Sequence, residues 1–82
     1  MVQQLQLSIQ NMETVIRQAG YDPANIVRLT FYTTSMPDFF RAYPSVVSWF
    51  QGHQLTPSST LVQVVALAYP ELSVEIEATV VR

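Results

Sequence analysis

Pro57-Ser58-Ser59-Thr60-Leu61-Val62-Gln63-Val64-Val65-Ala66-Leu67 and, after a short break at Tyr69-Pro70-Glu71-Leu72, Ser73-Val74-Glu75-Ile76-Glu77-Ala78-Thr79-Val80-Val81 are two β-rich runs near the end of the sequence. In the second run Val74, Ile76, Ala78 and Val80 fall on one side, and Ser73, Glu75, Glu77 and Thr79 on the other. A strict period of two marks a strand with one dry face and one wet face. The wet face sets two carboxylates side by side. The upstream chain is expected to supply the elements that cover the dry face.

Working outward, His53 to Ser59 is a polar loop whose Pro57 leads into a strand from Thr60. Before it, Ser35-Met36-Pro37-Asp38 reads as a helix start, with Ser35 as cap and Pro37 in the first turn, where a missing N–H is harmless. That helix is expected to run to about Gln51 with Gly52 as its stop. Pro44 lies in its interior, where it removes a hydrogen bond and clashes with the preceding turn, so a bend or split near Ala42-Tyr43 is expected. Phe39, Phe40, Tyr43, Val46, Val47, Trp49 and Phe50 make the helix apolar nearly all round, more than one sheet face can cover. The cluster Phe39, Phe40, Trp49 and Phe50 is read as core and subunit interface. Ile26 to Thr34 is dense in β-branched and aromatic residues and carries bulk on both faces, as a central strand does. Asp22-Pro23-Ala24-Asn25 marks a turn or a single helical turn. Residues 2–19 form an amphipathic helix with the stripe Leu5, Ile9, Met12, Ile16 and Ala19, closed by Gly20 as a left-handed cap.

The order helix, strand, helix, strand, strand defines an α+β layered domain with helices on one face of a mixed sheet, and residues 1–82 make a single domain. The helix between the first two strands implies a parallel pair joined by a right-handed crossover. Only 12% of residues are charged and 49% are hydrophobic, so some apolar surface is expected to be hidden against other subunits. The net charge is −2 with four arginines and no lysine, and no basic run or helix face exists, which argues against nucleic acid. Cysteine is absent and the lone histidine, His53, sits in a polar loop, so no metal or cofactor is expected. No apolar run reaches the length of a membrane span and no signal-peptide pattern opens the chain, which makes the cytoplasm the expected location.

Five pieces in order, Asn11-Met12-Glu13 through Ala19-Gly20, Asn25-Ile26-Val27-Arg28-Leu29-Thr30, Met36-Pro37-Asp38-Phe39, Pro57 to Val64 and Val74-Glu75-Ile76-Glu77-Ala78, resemble the Rid (YjgF/YER057c/UK114) family. The resemblance implies a trimer of chorismate-mutase-like fold. It also implies hydrolysis of enamines and imines released by pyridoxal-phosphate enzymes, in a cleft between adjacent subunits. In that pattern Glu75 matches the strand carboxylate, a candidate general acid or base. The family's carboxylate-binding arginine falls on Ser59 here. Ser59 and Thr60 are then candidate hydrogen-bonding groups for a substrate, and Arg28 a candidate substitute cation. The family's N-terminal β-hairpin is expected to be missing, because the sequence begins at the first helix. From the residues alone, Glu75 is either such a group or a solvated strand carboxylate. Three readings follow: an imine deaminase with an altered site, a non-catalytic trimer that binds a small metabolite, or an incomplete family member. The ribonuclease activity linked to the family does not fit the acidic balance of this chain.

Overall fold

A computed structural model describes residues 1–82. The chain runs α1 (Val2–Gln18), a 3-10 turn (Pro23–Asn25), β1 (Ile26–Thr33), α2 (Met36–His53), β2 (Ser58–Gln63) and β3 (Val74–Val80). The three strands form one sheet in the order β2-β1-β3, with β1 parallel to β2 and antiparallel to β3. Two helices packed on a mixed sheet are the α+β layering expected, with β1 central.

The stripe of α1 buries Leu5, Ile9 and Ile16. Along α2 the buried positions are Phe39, Ala42 and Val46, at helical spacing. These side chains meet Leu29, Phe31 and Val74 in a single core that also includes Leu55 and Ile26. Phe31 and Phe39 pack edge to face, with ring centroids 5.4 Å apart. Thr33 is the one buried polar residue in the sheet. Its hydroxyl donates to the Ser73 carbonyl at 3.0 Å and accepts from the Ser35 N–H at 3.2 Å, which satisfies it.

β1 does not keep one phase. Ile26 faces Val80 and Arg28 faces Thr79, so Val27 is an extra residue in a β-bulge. The inserted residue moves the dry face from the even position 26 to the odd positions 29, 31 and 33, and leaves Val27 exposed. In β3 the alternation holds: Val74 is buried and Ile76, Ala78 and Val80 are half-buried, while Glu75, Glu77 and Thr79 are exposed.

Helix ends depart from the sequence reading in specific ways. Gly20, with φ +86, closes α1 as expected: the Tyr21 N–H bonds to Ile16 and the Gly20 N–H to Arg17, the paired bonds of a Schellman end. Ala19 is exposed, because α1 has already ended at Gln18. The 3-10 turn is capped by Asp22, whose carboxylate accepts from the Ala24 N–H, as its sequence implied. α2 continues past Gly52, and Gln54, at φ 55, takes the left-handed position instead. Nor does α2 split at Pro44; it is a single helix through that residue. Pro44 leaves the Phe40 carbonyl without its helical partner, and both residues lie on the solvent side, where water can serve it.

β2 lies earlier than expected, at Ser58–Gln63. Its last pair is Thr33 with Gln63, followed by one bond from the Val64 N–H to the Thr33 carbonyl. β1 ends there, so residues 64–67 have no ladder to join, and Val65 is fully exposed. Two glutamines finish the frame. The Gln63 side chain accepts from the Met36 N–H at the start of α2. Gln4 accepts from the Ser73 N–H at 2.8 Å and donates to the Glu71 carbonyl at 2.9 Å, fastening the lead into β3 to α1.

Candidate functional site

Residues facing one another across a ladder share a sheet face, so the register assigns every candidate. Ser58, Arg28 and Thr79 form one row; Thr60, Thr30 and Glu77 the next; Val62, Tyr32 and Glu75 the third. All three rows belong to the face that no helix covers. Ser59 stands beside Leu29 and Ala78 on the opposite, helix-covered face. Arg28, Thr60 and Glu75 thus share the open face, and Ser59 does not.

Distance separates them further. Glu75 faces Tyr32, four residues along β1 from Arg28, about 13 Å of strand. Ser59 is on β2 and Glu75 on β3, the two outer strands, about 10 Å apart across the sheet before any offset along it. Within one copy of the chain, Ser59 and Glu75 do not share a site. Glu75 instead borders a groove of about 430 Å³ at the outer edge of β3, walled by Ser8, Asn11, Met12, Val15 and Ile76.

Ser59 and Thr60 line a pocket of about 270 Å³ at the outer edge of β2, with Phe31, Phe39, Phe40, Tyr43 and Leu61. The first two turns of α2 place its aromatic rings there. Phe39 is buried, whereas Phe40 is 58% exposed and Tyr43 37%. Phe39 meets Phe40 edge to face at 6.1 Å, and Phe40 meets Tyr43 at 6.3 Å. The aromatic cluster is therefore core at Phe39 and an open wall at Phe40, with Trp49 and Phe50 half-buried farther along the helix.

Two polar arrangements escaped the sequence reading. On the open face the Tyr32 hydroxyl donates to Glu77 at 2.9 Å. That bond, then burial and the nearby carboxylates, raises the Tyr32 hydroxyl above its ordinary value, because ionising it would remove the donor and set like charges together; Arg28 pulls the other way. Glu77 is thus a hydrogen-bonded partner rather than a free surface carboxylate. Alternation along β1 puts Tyr32 on the wet face, but only the β1–β3 register reveals its partner.

The second arrangement joins the helices. Glu13 accepts from the Trp49 indole N–H at 3.0 Å and lies 3.2 Å from His53 Nε2 and 3.4 Å from Arg17 Nε. Arg17 also reaches Asp22 at 3.4 Å. The Trp49 bond, helped by His53 and Arg17, holds the Glu13 carboxyl below its ordinary value despite partial burial. His53 is therefore tied to α1, not free in a loop. Arg41 pairs with Asp38 on the surface of α2. No three acidic or histidine side chains gather as a metal site, and no helix is long and apolar enough to cross a membrane.

The fold and the edge pocket together describe a small α+β domain, helices on one side of a mixed sheet, that presents ligand-sized concavities at the sheet's two edges. The endoribonuclease L-PSP family matches residues 1–82, and the chain belongs to that family, which is also known as YjgF/Rid. TdcF of Escherichia coli K12, provisionally named a reactive intermediate deaminase, is 32% identical over 80 residues, covering 96% of this chain and 61% of TdcF. A RutC family protein of Pasteurella multocida, PM1466, is 30% identical over 83 residues, covering 99% of this chain and 64% of that protein. The chain thus spans less than two thirds of the length of these relatives. The crystal structure of E. coli TdcF with bound serine superposes with a TM-score of 0.84 at 32% identity, over 93% of this chain and 60% of that one. The E. coli YjgF gene product gives a TM-score of 0.82 at 29% identity, over 92% and 59%.

Proposed function

We propose that three copies of this chain associate and bind a small metabolite between the β2 edge of one copy and the β3 edge of the next. The observation that carries this reading is the separation of Ser59 from Glu75 on opposite edges and opposite faces of one sheet. Only a second copy brings a β3 carboxylate to a β2 pocket. Exposed Phe40, Tyr43, Val47 and Val62 near the β2 edge support it, as apolar surface that a neighbouring copy would cover. So does the relative TdcF, which was crystallised with a bound amino acid, serine.

The chemistry such a cleft offers is hydrolysis of an imine. Water adds across C=N with Glu75 taking its proton, the nitrogen is protonated, and the C–N bond breaks to release ammonia and a carbonyl compound. An amino-acid-derived imine also carries a carboxylate. A charge-assisted contact to it is worth about 1.5–3 kcal/mol, against about 0.5–1.5 for the neutral bond Ser59 can give. Arg28 is on the other face of the sheet from Ser59 and does not supply that charge. The chain is therefore a metabolite binder with little activity on 2-aminoacrylate.

Two measurements test this. Light scattering at micromolar concentration should report a mass near three chains, and a stable monomer would remove the shared cleft. Decay of 2-aminoacrylate, generated by a pyridoxal-phosphate dehydratase, should be nearly the same with and without the protein. Strong acceleration would overturn the assignment of Ser59 as a poor anchor.

A further inference from the structure

The walls of the β2-edge pocket define the kind of molecule it takes. Every residue lining it is uncharged: four aromatic rings, Leu61 and two hydroxyl residues. The two cations closest in sequence to these elements are engaged or turned away. Arg41 pairs with Asp38, and Arg28 lies on the opposite face of the sheet from Ser59. An anion entering the pocket would lose water and meet no counter-charge, a cost that no group in the wall offsets.

For a neutral ring the balance is reversed. Phe31, Phe39, Phe40 and Tyr43 form a run of tilted and edge-to-face rings with centroids 5.4 to 6.3 Å apart. Another aromatic ring can extend that run at the exposed Phe40 and Tyr43 faces. The Ser59 hydroxyl, on the same sheet face as the α2 rings, makes no hydrogen bond within the chain and is available to one polar substituent. A volume of about 270 Å³ lies at the small end for ligand pockets, enough for a single substituted ring.

From these observations we infer that Ser59 and its aromatic wall make this pocket selective for a small, uncharged aromatic molecule bearing one hydrogen-bonding group, in preference to a carboxylate. The inference rests on the β2 edge being a ligand site, as proposed above. It does not need the trimer, because every lining residue belongs to one chain.

Benzamide and benzoate test it, since they share a shape and differ in charge. Each is titrated into isotope-labelled protein while the amide signals of residues 59–61 and the rings of Phe40 and Tyr43 are followed. Benzamide should shift these signals, and benzoate should bind about tenfold more weakly or less. Ser59→Arg should reverse that order. Where that variant fails to fold, Ser59→Ala, at an exposed position, should weaken benzamide about three- to tenfold and leave benzoate unchanged. Phe40→Ala should weaken benzamide as well. Equal binding of the two compounds, no binding of either, or shifts confined to other parts of the protein would overturn the inference. The mass is measured on the same samples. A monomer that still prefers benzamide refutes the trimer and leaves the selectivity standing, whereas a trimer that prefers benzoate does the reverse.

Discussion

Removing the Glu13 carboxylate should loosen the seam between the two helices. In the structure it accepts the Trp49 indole N–H at 3.0 Å and faces His53 and Arg17 at 3.2 and 3.4 Å. A hydrogen bond to a charged acceptor contributes about 1.5–3 kcal/mol, and the lower end applies because water can reach the site. Glu13 is 27% exposed and Arg17 49%, so the ion pairs are surface pairs worth under about 1 kcal/mol together. Glu13→Ala should therefore cost about 2 kcal/mol, or roughly 10 °C in melting temperature for a domain of this size. Glu13→Gln keeps an acceptor for Trp49 and should cost less than about 1 kcal/mol. Because the folded pKa of Glu13 is depressed, its charge stabilises the fold above the ordinary value of 4.5, and that contribution disappears as pH falls through the lower folded value. The gap between wild type and Glu13→Gln should accordingly close in acid. The assay is urea unfolding at matched protein concentration from neutral pH downward. A Glu13→Ala protein within about 0.5 kcal/mol of wild type, or a gap to Glu13→Gln that persists in acid, would refute this account of the seam.

Tyr32 should titrate above the ordinary phenol value, with Glu77→Gln returning it downward; ultraviolet titration of the four tyrosines, compared with Tyr32→Phe, would reveal it, and a Tyr32 unaffected by Glu77→Gln would contradict the bond. Pro44→Ala restores an N–H to the Phe40 carbonyl and should stabilise the chain by about 1 kcal/mol, after the loss of proline's restraint on the unfolded state is counted. Thermal unfolding of that variant checks it, and destabilisation would mean that the proline is needed where it stands.

The layer order and the strand pairing could be read from the sequence because they depend on patterns that tertiary packing rarely overrides. The alternation in Val74-Glu75-Ile76-Glu77-Ala78 survives as an exposed and covered face, and the two-sided bulk of β1 matches its central place. Boundaries were less legible, since they are set by partners. β2 stops at Gln63 because β1 runs out at Thr33, a fact that no residue of the Val64–Leu67 run contains. α2 passes Gly52 because Gln54 rather than the glycine adopts the left-handed conformation. Which candidate residues share a face of the sheet was not legible in the sequence. The parity of β2 relative to β1 alone decides that Ser59 faces the helices while Thr60 faces away. The bulge at Val27 hid part of the pattern too, since one inserted residue exchanges the two faces of β1 without leaving a glycine or proline to mark it.

The outer strands have one more consequence. β2 runs parallel to the central strand and β3 antiparallel, so the two outer margins of this three-stranded sheet are unlike surfaces. Identical copies meeting through unlike margins join head to tail, and such a contact has two outcomes: it closes after a fixed number of copies, or it grows into a filament. The angle at that junction, more than its strength, then separates a soluble ring from an aggregate. In the association proposed above, substitutions at the exposed Phe40 and Val62, beside the β2 margin, would be expected to change the number of copies joined before they change the fold of one copy.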